Sequence, residues 1–543
     1  REIIMSPNKE NANVPHGPEA TNLTLAENIK KEFALLEVFS PDVADAHMSG
    51  LIHLHDLGMV DRPYCSGQSI EYVKKFGLNL PNAMSIAKPA KHPEVLIEQI
   101  IKFSAALQGH YAGAIGWDAF NVFLSPYLVG LDDRRMHQLA QILVYEYAQQ
   151  AVARGGQSIF SDLNIYWETP KHFIGVPAIG PGGEYTGKNY EEFMLKICRL
   201  ASEMGNTYFV FDRGDTARVS ECCRLSFNLD EQDIEDAKTP WKMRFSAMQN
   251  ATLNLPRIAY MAKGSDEALY SGITEALGLV VRAHKEKKAF IQELLALGNS
   301  GPLGLLTMNL DGEPYYRIEK SSYLIGILGL NEMVQFHTGH EMHESKDSIR
   351  FGLGIIAYMR KEAERLSLES GLKLSLEQTP AESTAYRFAK LDLRDFPHEA
   401  GAVVKGDRNT GEVYYTNSTY LNVGADVGPV ERVKIEGMFH PIIDAGALTH
   451  IWLGESKPSA ESVASFVRNT FEKTQNGQIA FSPEFTSCLD CGKTSRGLSE
   501  KCPFCGSAHI EGITRVTGFF SKISGWNKGK RGELADRRKG QCL

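Results

Sequence analysis

Four cysteines near the C-terminus, Cys488, Cys491, Cys502 and Cys505, follow the spacing C-x2-C-x10-C-x2-C. Each close pair sets two thiolates on one tight knuckle, and four convergent sulfurs satisfy tetrahedral Zn2+. Glycines directly after Cys491 and Cys505 suit knuckles in which the backbone turns closely. Four protein ligands leave no open position, so a zinc ion held here is structural. Shortly afterwards Gly518 stands in "RVTGFF". A turn is its plain meaning. Its chemical meaning is a backbone radical, because a glycine α-carbon is unhindered and its radical is stabilised by the flanking amides. A third feature is "SECCRLSF", with Cys222 and Cys223 next to Arg224. Adjacent cysteines rarely bond to each other. Two partly buried thiols is the plain interpretation; a loop cysteine that becomes a thiyl radical is the chemical one.

Other matches carry less. "GGEYTGKN" approaches a phosphate-binding loop, but Asn189 stands where a Mg2+-ligating Ser or Thr is needed. In "HTGHEMHES", His340 and His343 are three apart, which is not the spacing of a zinc protease helix, so loop histidines are expected. "HLHDLG" places His53 and His55 on one face of a strand, as expected of a hydrogen-bonded structural cluster.

These residues need a scaffold. The chain has 543 residues, 43% hydrophobic and 23% charged, which is a globular composition with ample core. A net charge of −8 argues against nucleic-acid binding, and no apolar run suits a membrane span. Nine cysteines, including Cys198 and Cys542, with two C-x-x-C pairs suit a reducing cytoplasm rather than a disulfide scaffold. Residues 1–22 are polar and read as an arm. From 23 to 480, helical and strand patterns alternate, which predicts one large α/β domain with a largely parallel sheet. "EVLIEQIIKFSAALQG" and "MHQLAQILVYEYAQQAVARG" read as helices; "NTYFVFD", "ATLNLPRIAYMA" and "GEVYYTNSTYLNV" read as strands. Residues 481–543 form the cysteine segment, ending in a basic, Gly-rich tail expected to be a mobile surface end.

Taken in order, "GLIHLHDL", "RGGQSIFSDLN", "ECCRL", "TLNLPRIA", "IGILGLNE", "TPAESTAYRFAKLD", "YYTNS" and the terminal "RVTGFF" behind a four-cysteine ribbon resemble the anaerobic (class III) ribonucleotide reductases. The resemblance runs from about Gly50 to Gly518. It implies a ten-stranded α/β barrel enclosing a cysteine-bearing finger loop, with a zinc ribbon and glycyl-radical segment at the C-terminus. It also implies reduction of ribonucleoside triphosphates to deoxyribonucleotides for DNA precursor synthesis, under allosteric control by nucleoside triphosphates. By position, Gly518 holds the stored radical, installed by a radical-SAM iron–sulfur activating protein. Cys223 becomes the thiyl that takes the ribose 3′ hydrogen, with Cys222 the alternative. Cys65 resembles the second active-site cysteine. Asn254 resembles the active-site asparagine, with Asn250 four residues before it. Cys488, Cys491, Cys502 and Cys505 match the zinc ligands. A homodimer is the family expectation.

Two departures narrow the picture. Some branches use a further mid-chain cysteine with a dithiol reductant; here none lies between Cys223 and Cys488, which favours formate as reductant. Only about fifty residues precede the first matching motif, too few for the N-terminal nucleotide-binding cone of many members. The alternatives are another glycyl-radical enzyme, of formate-lyase or dehydratase type, or a zinc-ribbon binding protein.

Overall fold

A computed structural model describes residues 17–81, 83–186, 191–213, 218–220, 226–228 and 231–540, with backbone alone at 218–220 and 226–228. In chain order the strands are β1 (Ile52–Leu54), β2 (Cys65–Ser69), β3 (Ile115–Asp118), β4 (Ser161–Leu163), β5 (Tyr208–Val210), β6 (Arg218–Ser220), β7 (Ser226–Asn228), β8 (Arg244–Asn254) and β9 (Ser322–Leu328). They continue as β10 (Lys373–Glu377), β11 (Lys405–Asp407), β12 (Glu412–Tyr414), β13 (Leu448–Gly454), β14 (Gln478–Cys488), β15 (Thr494–Arg496), β16 (Ile510–Arg515) and β17 (Phe520–Lys522).

The first sheet runs β10-β9-β8-β2-β3-β4, with β1 also on β8. Along β10-β9-β8 and β2-β3-β4 the pairs are parallel; β8 meets both β2 and β1 antiparallel, which makes the seam between the two runs. The second contains β13-β14-β16-β17, with β5 and β15 on β14. A bridge between Leu328 and Asn417 ties the end of β9 to the segment after β12. The expected ring of ten strands is thus represented, among the described residues, by two sheets of seven and six strands. All eleven residues of β8 are buried, as for a strand covered on both faces. One cover is the helix Asp266–Ala296, capped by the Ser265 hydroxyl on Ala268 N–H. No helix of the described residues is long and apolar enough to cross a membrane.

Three local expectations need correction. "ATLNLPRIAYMA" is not one strand: β8 stops at Asn254, whose side chain caps a helix over Leu255–Ala262 that opens with Pro256. "GEVYYTNSTYLNV" is a strand only over β12; the residues from Tyr415 onward run as a buried loop. The C-terminal tail is not a loose end. It forms a helix over Lys528–Asp536 with Lys530, Glu533 and Leu534 buried, because its charges pair with one another inside the molecule.

Candidate functional site

Cys65 opens β2 and is buried. Its sulfur lies against the backbone of the next strand, taking the Ala114 N–H at 3.4 Å. That approach requires Gly113: a β-carbon there would sit 2.3 Å from the sulfur. Across the seam Cys65 pairs with Ala247 of β8.

A bulge between Ala247 and Gln249 decides which β8 residues share the face of Cys65. Adjacent β9 residues Ser322 and Tyr323 pair with Ala247 and Gln249, so the alternation slips by one. Asn250 and Thr252 then pair with Leu324 and Gly326, on the face of Ser322 and therefore of Ala247 and Cys65. Trp117 of β3 turns the other way, donating its indole N–H to Ser104 of an outer helix. The Cys65 face is the interior one, and it is polar. Asn250 donates its amide to Glu377, and the Thr252 and Thr379 hydroxyls meet at 3.1 Å. Gly326 leaves space for them, since a β-carbon would lie 2.0 Å from Thr379 Oγ1 and 2.1 Å from Thr252 Oγ1. Asp118 also faces inward, accepting from Tyr166 Oη at 3.1 Å, and burial pushes its carboxyl up to about 7.

Cys222 and Cys223 lie outside the described residues. The strands that flank them in sequence, β6 and β7, pair with each other, and β6 lies against β3. Gly518 is buried in the four-residue loop joining β16 to β17. Arg515 donates to its carbonyl at 3.0 Å. Its neighbour Phe519 stands on Phe160, ring centroids 5.7 Å apart, and the Phe160 carbonyl accepts from Ile115 of β3. The loop of Gly518, the flanks of the cysteine doublet and Cys65 therefore converge on β2, β3 and β4.

Asn254 is elsewhere. It lies seven residues beyond Ala247, roughly 20 Å along the strand at the usual rise. Its amide is engaged: the oxygen accepts from Arg257 N–H, and the NH2 donates to Gly50 O and to Asp392. Arg257 and the Tyr415 hydroxyl reach the same carboxylate. Four quoted motifs thus meet at Asp392 as a structural junction. Thr416 in turn donates its N–H and hydroxyl to the buried Glu332 of "GLNE". The histidines behave as expected of a structural cluster: His53 and His55 rings meet edge to face at 4.6 Å, and His55 Nε2 bonds Thr252 Oγ1. Burial lowers His55 to about 3, so it is neutral near pH 7.

The cysteine quartet fits zinc. Its sulfurs all lie within 4.8 Å of one another, with Cys488–Cys505 at 3.6 Å and Cys491–Cys502 at 3.7 Å. A tetrahedron with Zn–S of about 2.3 Å has edges of about 3.8 Å. Both knuckles close with the same backbone bond, Gly492 N–H on Cys488 O at 3.0 Å and Gly506 N–H on Cys502 O at 2.9 Å. Gly492 and Gly506 follow at φ +69° and +76°. The quartet closes the far end of the ladder that carries Gly518, for Cys488 pairs with Ile510 and Glu484 with Thr514.

A family model described as anaerobic ribonucleoside-triphosphate reductase matches residues 10–186 and 174–539. The chain belongs to that family. The phage T4 reductase of that name is 22% identical over 98% of this chain and 97% of its own. The Salmonella typhimurium reductase is 26% identical over 53% of this chain, and the match spans only 41% of that protein. The fold is that of the anaerobic ribonucleotide reductase from Thermotoga maritima, solved in complex with dATP and CTP. It aligns at a TM-score of 0.70 with 20% identity, over 95% of this chain and 90% of that one. Of the features that position the site, Gly113, Gly326 and the β8 bulge were not singled out in the sequence; a glycine inside or beside a strand was the available signal.

Proposed function

We propose that this chain reduces ribonucleoside triphosphates to 2′-deoxyribonucleoside triphosphates without oxygen, with formate as reductant. One observation carries the proposal: the buried Gly518 loop is seated on Phe160, beside the strands that bring in Cys65 and the flanks of the cysteine doublet. Gly518 stores the radical after an external iron–sulfur activase removes its α-hydrogen. Cys223 then gives its thiol hydrogen to Gly518, and the resulting thiyl takes the ribose 3′ hydrogen. The 2′-hydroxyl leaves as water, with Cys65 on the other ribose face as hydrogen donor. The net change is ribonucleotide plus formate plus a proton giving deoxyribonucleotide, carbon dioxide and water. The 3′ hydrogen returns at the end of the cycle. The polar interior face around Asn250, Thr252 and Glu377 orients the substrate; Asn254 is assigned to holding the junction at Asp392. A zinc ion on the four cysteines stiffens the radical ladder. Nucleoside triphosphates act as substrates and effectors, and the enzyme works as a homodimer in the cytoplasm.

The test is anaerobic incubation with activase, a nucleoside triphosphate and either 13C-formate or a thioredoxin system. Deoxynucleotide with matching labelled carbon dioxide is expected, together with a glycyl signal whose splitting collapses when glycine is deuterated at Cα. Full turnover with thioredoxin alone would remove formate from the scheme. A glycyl signal without deoxynucleotide would move the chain to another glycyl-radical chemistry.

A further inference from the structure

The loop that carries Gly518 is held from behind by the end of its own chain. After β17, the helix Lys528–Asp536 is capped by the Asn527 side chain and delivers Arg537 back to the hairpin. The Arg537 side chain is fully buried. It donates Nη1 to the Arg515 carbonyl at 2.9 Å and Nη2 to the Val516 carbonyl at 3.0 Å. Those are consecutive carbonyls just before Thr517 and Gly518. Nη2 also meets Glu533 at 2.8 Å, and Glu533 takes the Lys530 ammonium at 2.6 Å. The guanidinium lies 3.8 Å from the ring centroid of Trp452 on β13. Beyond it the chain stays attached, with Arg538 N–H on Val423 O and Gly540 N–H on Trp452 O.

Arg515 works from the opposite side. It donates to the Gly518 carbonyl and reaches Tyr208 Oη and Gly205 O next to β5. The loop is therefore gripped by two arginines on different carbonyls. One is anchored in the body of the fold, the other in the terminal strap. Arg537 touches no titratable partner on the hairpin, only main-chain oxygens. Its planar fork suits two neighbouring acceptors in a way that a lysine ammonium does not. A loop tied this way cannot lift from its seat until Arg537 lets go.

We infer that Arg537 is a positioning residue that locks the Gly518 loop in its seated state, and that the strap over residues 528–540 must detach before an activase can reach the Gly518 α-carbon. This rests on Gly518 being the radical site. Hydrogen–deuterium exchange of residues 514–520 in the whole chain tests the lock without any radical chemistry. Arg537→Ala is expected to exchange there about tenfold faster or more, the scale of lost hydrogen bonds from a charged donor, with β8 exchange unchanged. Arg537→Lys, which keeps the charge, should fall between the two. It carries the test if the alanine variant does not fold. With activase, Arg537→Ala should gain its glycyl signal faster than wild type yet make less deoxynucleotide per radical. A merely structural role would lower both together. Unchanged exchange at 514–520 in a folded variant overturns the lock. If exchange rises as stated but wild type never forms a glycyl signal, the lock on the loop stands and the assignment of Gly518 falls.

Discussion

Gly113 offers a test of Cys65 that leaves the thiol itself in place. A β-carbon at residue 113 would lie 2.3 Å from Cys65 Sγ and 3.0 Å from Tyr64 O. Nonbonded heavy atoms settle at about 3.5 Å or more, so alanine must drive the sulfur or its strand aside by about 1.2 Å. The backbone at 113 is not in the left-handed region, so alanine is conformationally admissible and the effect is steric. Overpacking of this kind destabilises by about 1–3 kcal/mol, which should leave a chain of this size folded. Misplacing a reacting group by about 1 Å lowers a rate by about a hundredfold. Gly113→Ala should therefore store the glycyl radical as wild type does and form deoxynucleotide about a hundredfold more slowly. Spin counting by electron paramagnetic resonance and single-turnover product yield, measured on the same samples, separate the two steps. Gly109→Ala is the control, because its β-carbon would meet nothing closer than the Ala106 carbonyl at 3.4 Å. Product formation within about threefold of wild type would refute the role given to Cys65, since the perturbation sits on its sulfur.

Three further outcomes are expected. Cys491→Ser should lose zinc by metal analysis and fail to accumulate the glycyl radical while β8 remains protected from exchange, because the quartet orders the ladder that carries Gly518. Cys223→Ala should store the radical but neither exchange nor reduce substrate, while Cys222→Ala keeps measurable turnover; the reverse pattern would put the thiyl on Cys222. Asp118 binds its proton more tightly when folded, so its contribution to stability falls as pH rises from the unfolded value near 4 to the folded value of about 7. Between pH 5 and 7 that amounts to about 2 kcal/mol, and Asp118→Asn should remove this part of the pH dependence in denaturant titrations.

The knuckles and the helix over Pro93–Gln108 were legible in the sequence because each rests on local rules: ligand spacing with a glycine at positive φ after each pair, and apolar residues at helical intervals. The errors came where tertiary partners decide. "TLNLPRIAYMA" has the β-branched and aromatic content of a strand, but Asn254 finds a capping role, Pro256 suits a helix start, and the chain turns. The tail looked like solvent-exposed charge. Lys530, Glu533 and Arg537 instead satisfy one another in the interior, a pairing visible only as i,i+3 and i,i+4 spacing on a short helix.

The face assignment is the clearest case of information that is in the chain but not in its periodicity. Strict alternation along β8 would put Ala247 and Asn250 on opposite faces, and so Asn250 away from Cys65. One extra residue between Ala247 and Gln249 reverses this, because β9 offers adjacent residues to both. Gln249 then pairs with Tyr323, off the Cys65 face, while Asn250 turns inward to Glu377. The same slip separates the two asparagines by environment: Asn250 lines the interior with Thr252, and Asn254 caps the next helix at Asp392. A sequence pattern assigns an asparagine by its neighbours in "TLNLPRIA"; the sheet assigns it by what stands across the strand. Both amides are engaged, Asn254 by a helix N–H and the buried Asp392 and Asn250 by the buried Glu377, so what separates them is the face each stands on.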